Sequence, residues 1–162
     1  MNKSSRRAPI ATRAFEHRNL PLLLLQAREG VIAHFRPILH EHGLTEQQWR
    51  IIRALLELGP QEPRQLVDVC RLSSPSLAGV LARMDELGLV RRERLAEDQR
   101  RLRVSLTARS RALALRMKPQ IEAVYGQIEA HIGRDFIDRF YATLDELIAM
   151  LGEVPMGDVD ED

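Results

Sequence analysis

Apolar residues return every three or four positions along most of the chain, and every second position in one short stretch, so the sequence predicts helices around a single two-stranded hairpin. From Leu20 to His42 the stripe Leu24, Arg28, Val31, Phe35, Ile38, His42 predicts one helix, kinked at Pro37 and stopped by Gly43. Thr45 with Gln48 three residues on reads as a capping box for the next helix, whose apolar face is Trp49, Ile52, Leu55 and Leu56. Gly59-Pro60 ends it. Pro63 opens a short helix, Arg64 to Cys70, with Leu66, Val69 and Cys70 inward. After a turn at Arg71-Leu72-Ser73, Ser74 caps a helix from Pro75 to Leu87 that buries Leu77, Val80, Leu81, Met84 and Leu87, and Gly88 stops it.

The period then changes. Leu89 to Leu95 forms one strand, and Leu102, Val104 and Leu106 alternate with Arg103 and Ser105 in a second. Ala96 to Arg100 is the polar tip between them. Thr107 caps a long helix with the stripe Leu113, Met117, Ile121, Val124, Ile128, Ile132, bent at Pro119 and broken at Gly133. A last helix carries Phe136, Phe140, Leu144, Leu147 or Ile148, and Leu151. No internal repeat or low-complexity segment interrupts this order.

Composition narrows the function classes. The 162 residues suit one domain, and 44% hydrophobic content suffices for a core. Only 4% are aromatic, which argues against a sugar- or base-stacking surface. One cysteine excludes an internal disulfide framework and fits a reducing cytoplasm. No apolar run approaches the ~20 residues of a membrane span, and Gln26, Arg28 and Glu29 interrupt the run Leu22 to Leu25 too early for a signal peptide; the expected location is the cytoplasm and no membrane partner is expected.

The net charge of +1 argues at first against a nucleic-acid partner, but its distribution reverses that reading. From Arg64 to Arg116 twelve basic residues face six acidic ones, and from Arg91 to Arg103 six arginines face three acids. After Lys118, eleven acids face Arg134 and Arg139. The chain divides into a basic arm (1–18), a domain (19–151) and an acidic tail (152–162). Within the domain, the unit at about 62–107 is flanked by helical segments at about 19–42 and 108–151.

Short helix, turn, helix and hairpin form a winged helix-turn-helix. A major groove about 12 Å wide admits one helix, and the hairpin reaches the neighbouring minor groove. The second helix should then present small and polar residues outward. Ser73, Ser74, Ser76, Gly79 and Arg83 lie off its apolar stripe, and Ser76, Gly79 and Arg83 share one face. Arg91, Arg92, Arg94, Arg100, Arg101 and Arg103 crowd the hairpin, a density costly by self-repulsion without an anionic partner. Arg100 at the tip suits a narrow, electronegative minor groove, with Asp98 bracing its guanidinium. The candidate DNA-binding residues are Ser73, Ser74, Ser76, Gly79, Arg83, Arg94, Asp98, Arg100 and Arg101.

Asp98-Gln99-Arg100-Arg101-Leu102-Arg103-Val104-Ser105-Leu106-Thr107 resembles the wing signature D-x-R-x-x-x-V-x-L-T of the MarR family of transcriptional regulators. Leu72 to Leu77, Leu87 to Val90 and Gly43 to Trp49 resemble the same family's recognition helix, its exit and its second-helix opening. Ser110 departs from the glycine that many members carry there. The resemblance implies a mainly α fold with a β-hairpin wing and a homodimer held by the N-terminal and last two helices. Each wing unit then reads one half of a palindromic operator in double-stranded DNA. Leu20 to Glu29 and His34 to Leu39 are similar to the members that regulate homoprotocatechuate (4-hydroxyphenylacetate) degradation. That similarity implies a repressor of an aromatic-acid catabolic operon, released by 4-hydroxyphenylacetate, 3,4-dihydroxyphenylacetate or a similar aromatic carboxylate. A regulator of another aromatic-compound or stress operon, or a non-sensing architectural DNA-binding protein, is the alternative.

Arg28 sits on an apolar stripe and needs a counter-charge. An acid such as Glu29, Glu57 or a partner-chain residue would serve, as would a ligand carboxylate. Trp49 and Arg53, four apart, would add a ring wall and a second donor. The effector candidates are Arg28, His34, Trp49 and Arg53. His34, His40 and His42 lack metal-ligand spacing, and Cys70 falls on an apolar face, so neither a metal site nor a redox sensor is expected. No spacing signals a nucleophile–base pair or convergent carboxylates. No catalytic residue and no cofactor are assigned, and an enzyme is not expected.

Overall fold

The computed structural model describes residues 15–152; residues 1–14 of the basic arm and 153–162 of the acidic tail lie outside the described residues. Two units are described separately, one ending at His34 and one starting at Phe35.

The first unit carries helix α1 (Leu20–Ala33). Asn19 caps it, its side-chain oxygen accepting from the Leu22 amide at 3.1 Å. None of its residues is buried, and Leu22 to Leu25 and Val31 lie open on the single chain. The expected single helix to His42 ends here, and α2 (Arg36–Glu41) starts anew. Pro37 explains the break. It has no amide hydrogen to give a carbonyl four residues back, and in a continuous helix its ring would clash with that carbonyl. The helix stops at Ala33, and the Ile38 and Leu39 amides turn to Phe35 O, each at 3.1 Å.

In the second unit α3 (Glu46–Leu58) begins at the expected capping box, with Thr45 Oγ1 accepting from Gln48 N and Gln48 Oε1 from Thr45 N. Its buried face is Ile51, Ile52, Ala54 and Leu55, with Gln48. Trp49 and Leu56, expected in the core, face outward beside it instead, Trp49 half-buried and Leu56 exposed. Helix α4 (Pro63–Cys70) buries Leu66 and Cys70, whereas Val69, expected inward, is half exposed. Helix α5 (Ser74–Glu86) is capped by Ser73 rather than Ser74, and it buries Leu77, Leu81 and Met84; Val80 and Leu87 are only partly covered.

Strands β1 (Val90–Arg94) and β2 (Leu102–Leu106) pair antiparallel, Val90 opposite Leu106 and Arg94 opposite Leu102. Their inner residues Val90, Val104 and Leu106 close the core against α3, α4 and α5. Each such fully buried aliphatic side chain contributes about 1.5–3 kcal/mol. Gln61 adds a short third rung to the hairpin through both backbone bonds with Val104, at 2.7 and 3.0 Å.

Helix α6 (Ala108–Ile132) is capped by Thr107 and continues through Pro119. Its stripe is buried at Leu113, Met117 and Ile121, then emerges, so that Ile132 is exposed. Gly133, at φ 99°, separates it from α7 (Arg134–Gly152), which buries nothing. Phe136, Phe140, Tyr141, Ile148 and Leu151 stand on the surface of the single chain. Among the described residues no helix is long and apolar enough to cross a membrane.

Candidate nucleic-acid interface and ligand cleft

Helices α4 and α5 are joined by three residues. Arg71 turns the chain with φ 50° and ψ 53°, the only non-glycine residue at positive φ among the described residues. Ser73 then caps α5, its Oγ accepting from Ser76 N at 3.3 Å and donating to Ser76 Oγ at 2.9 Å. The Ser76 hydroxyl keeps its own hydrogen for an outside acceptor. Ser76, Gly79 and Arg83 share an exposed face, as expected. Ser74 does not join it. With Pro63, Arg64, Leu77 and Arg92 it lines a cleft between α4, α5 and the hairpin. Arg83 pairs with Glu86 at 3.0 Å, an exposed pair that a phosphate or a guanine edge can displace at small cost.

Gly79 has ordinary helical geometry, and a Cβ built there would meet nothing within 4 Å. The fold therefore does not require this glycine, while an alanine would favour the helix. Gly79→Ala should raise stability by about 0.5–1 kcal/mol in urea unfolding. An unchanged or lower midpoint would show that the position is held by something inside the fold.

The hairpin arginines are less exposed to mutual repulsion than their density implies. Arg92 reaches Asp85 at 2.9 Å, Arg91 lies 3.6 Å from Glu93, and Arg101 pairs with Glu62. Arg94 Nη1 donates to the Gln99 carbonyl at 2.8 Å. Arg100 and Arg103 are left, among the described residues, with no ion pair from their guanidinium groups. Asp98 does not brace the Arg100 guanidinium. Its Oδ1 accepts from the Arg100 backbone amide at 2.9 Å, and its carbonyl accepts from Arg101 N at 3.0 Å. Asp98 shapes the tip, and the Arg100 side chain projects from it with its charge free.

The exit from α5 is fastened. Gly88, at φ 67°, closes the helix: its amide donates to Asp85 O, and Leu89 N donates to Met84 O at 2.8 Å. Thr107 Oγ1, at the far end of the hairpin, donates to Gly88 O at 2.7 Å. The reading helix, the wing and the start of α6 thus share one joint.

A second cleft, of about 320 Å³, opens between α3 and α6. Trp49, Arg53 and Leu56 form the α3 wall. Arg111, Ala114, Leu115, Lys118, Ile121 and Glu122 form the other. Three cations against one acid make it electropositive. Arg53 pairs with Glu57 at 2.6 Å, but Arg111 and Lys118 make no ion pair among the described residues. Tyr125 is next to this charge. Burial pushes its phenol pKa up, and the Arg53 guanidinium opposes the shift. Its ring lies 4.8 Å from Phe35.

Of the effector candidates, Trp49 and Arg53 meet in this cleft. Arg28 and His34 belong to the first unit. Arg28 Nη1 lies 2.6 Å from Glu29, one of the acids weighed for it, and His34 is the C-cap of α1. Sequence reasoning missed Arg111, Lys118 and Tyr125. The available signal was the pair Arg111 and Lys118, seven apart beside Leu115, which flanks the buried stripe of α6 with charge. Cys70 is buried, and burial raises its thiol pKa against the opposing charge of Arg50, as suits an unreactive side chain. Among the described residues no group of three His, Cys, Asp or Glu is placed to hold a metal ion.

Comparison with known proteins agrees with this geometry. The MarR family profile matches residues 42–101. The homoprotocatechuate degradative operon repressor of Escherichia coli is 43% identical over 134 residues, 83% of this chain and 90% of that protein. The crystal structure of transcriptional regulator PA4135 superposes with a TM-score of 0.81 at 40% identity, covering 86% of this chain and 100% of that one. The structure of NadR in complex with 4-hydroxyphenylacetate has a TM-score of 0.76 at 34% identity, covering 90% of this chain and 100% of that one. The chain belongs to the MarR family of transcriptional regulators, as a winged-helix protein related over most of its length to the homoprotocatechuate degradative operon repressor.

Proposed function

We propose that the protein is a homodimeric repressor of an aromatic-acid catabolic operon, that of homoprotocatechuate or 4-hydroxyphenylacetate, and that an aromatic carboxylate releases it from DNA. The observation that carries the reading is the cleft between α3 and α6, where Trp49 and Arg53 line one wall and the cations Arg111 and Lys118, with no ion pair among the described residues, line the other. An aromatic acid matches both features at once, its ring against Trp49 and its carboxylate with the cations. The likeness to a 4-hydroxyphenylacetate complex and to a homoprotocatechuate operon repressor supports the same class of ligand.

DNA contact is assigned to the outer face of α5 (Ser73, Ser76, Gly79, Arg83) and to Arg100 at the wing tip. The exposed apolar residues of α1 and α7 supply the dimer surface. Each protomer then reads one half of a palindrome, the halves about one turn, roughly 34 Å, apart. The test is binding to the palindrome upstream of the operon against a scrambled duplex, with added 4-hydroxyphenylacetate or its uncharged amide. The acid should release the palindrome and raise the melting temperature, and the amide should do neither. Equal affinity for both duplexes would sink the specific-reader claim. Equal effects of acid and amide would sink the carboxylate assignment.

A further inference from the structure

We infer that Glu62 and Arg101 form a clasp that sets the wing against the reading unit, and that Arg101 serves DNA binding through the wing's placement rather than by touching the duplex. The inference rests on the DNA-reading assignment above. Glu62 is the N-cap of α4, the first helix of the reading unit, and its amide is held by Gln65 Oε1 at 2.8 Å. Arg101 stands one residue before β2, where the return strand leaves the wing tip. The side-chain pair joins these two places directly.

One residue away on the α4 side, Gln61 makes both backbone bonds with Val104, and its side-chain Nε2 donates to Leu58 O at 3.2 Å. The return strand is therefore tied to the start of α4 at two points, Arg101 and Val104. The backbone rung fixes the root of the wing and the ion pair fixes its outer part. The charges answer each other: the hydrogen bond from Arg101 holds the Glu62 carboxyl below the usual range, and the same bond holds the guanidinium above its own. Arg101 is thus a committed cation in a hairpin where Arg100 is free. A carboxylate at Glu62 would be unfavourable near phosphates if its only effect were its charge. The same carboxylate belongs to the α4 capping box, and its pair with Arg101 joins that cap to the wing.

This assigns Arg101 the role of a positioning residue, and salt dependence separates it from a contact residue. A side chain that neutralises a phosphate releases a counterion, so its loss flattens the slope of log affinity against log salt by about one per contact. Palindrome affinity is to be measured between low and physiological salt for the parent, Glu62→Gln, Arg101→Gln, the double variant, the charge swap Glu62→Arg with Arg101→Glu, and Arg100→Gln. Glu62→Gln should weaken binding about 2- to 30-fold over the two half-sites, the range an exposed pair counted twice allows, although it removes a negative charge. Arg101→Gln should match it, the double should be no worse than either single, and the swap should recover part of the loss. All four should keep the parent's salt slope, whereas Arg100→Gln should flatten it. Tighter binding by Glu62→Gln, or a flattened slope for Arg101→Gln, overturns the clasp. If Arg100→Gln changes neither affinity nor slope, the wing's assignment to DNA fails and the clasp's purpose with it. Both groups are partly exposed, so Arg101→Gln and Glu62→Gln, which keeps the side-chain oxygen of the α4 cap, should melt within a few degrees of the parent, whereas Glu62→Arg loses that oxygen and melts lower.

Discussion

Arg100→Ala should weaken binding of the proposed dimer to its palindrome by about 30-fold or more, and remove discrimination chiefly at the outer base pairs of each half-site. A well-placed arginine in a groove is worth about 1–3 kcal/mol, and the dimer carries two of them. The expectation rests on a local contrast. Of the hairpin arginines, Arg91, Arg92 and Arg101 spend their charge on Glu93, Asp85 and Glu62, and Arg94 caps the Gln99 carbonyl. Arg100 is held only by its backbone, through Asp98. Its guanidinium loses no protein partner on entering a narrow minor groove. Fluorescence anisotropy with labelled palindromes at fixed salt measures the effect. A loss under threefold would mean that the wing tip does not reach the duplex.

The second large effect concerns release. Arg53→Ala should raise the dissociation constant for 4-hydroxyphenylacetate about 10- to 100-fold while leaving DNA affinity in its absence unchanged, because hydrogen bonds to charged groups are worth about 1.5–3 kcal/mol. Arg53 faces the cleft from the same helix side as Trp49, and in the free chain it is engaged by Glu57, an exposed pair of small worth. Removing it should therefore cost little stability. Lys118→Ala should show a smaller loss, since a flexible ammonium gives a less directed contact than a guanidinium. Calorimetry on the parent and both variants is the measurement. An Arg53→Ala protein that binds the acid as tightly as the parent would move the effector out of this cleft.

The sequence showed the fold where one residue type settles the local chemistry. Thr45 with Gln48, Thr107 before a long stripe, Gly88 after Leu87 and the alternation from Leu102 to Leu106 each admit one reading. It was ambiguous where two neighbours offer the same group. Ser73 and Ser74 can both cap α5, and Pro75 fits either choice because the first helical amides need no internal partner. It failed where long-range placement decides. Arg92 reaches back seven residues to Asp85, and Arg101 reaches 39 residues back to Glu62. No spacing rule announces such pairs, so the hairpin looked more repulsive than it is. Trp49 admits two readings from sequence, a member of the buried face and a ring wall for a ligand, for a related reason. On α3 it neighbours the buried stripe, and only the position of α6 decides that it lines a cleft. Pro37 was recognised as a disturbance, but whether a proline kinks or breaks depends on how well the next turn starts by itself. Here Phe35 O collects two amides and restarts it.

The Thr107 hydroxyl bound to the Gly88 carbonyl gives α6 a mechanical grip on the reader. Arg111 and Lys118 lie four and eleven residues further along α6, about 6 and 17 Å up a helix. A molecule wedged between α3 and α6 would push on a short lever whose fulcrum is the end of α5. A tilt of a few degrees would then be felt at once by the groove-reading face and by the hairpin root. On the proposed reading, the walls of the cleft can be exchanged for those of another ligand while the Thr107–Gly88 joint stays in place. On that reading a biosensor is built by keeping Thr107, Gly88 and the buried Leu113 and Met117 fixed while the exposed wall residues are redesigned.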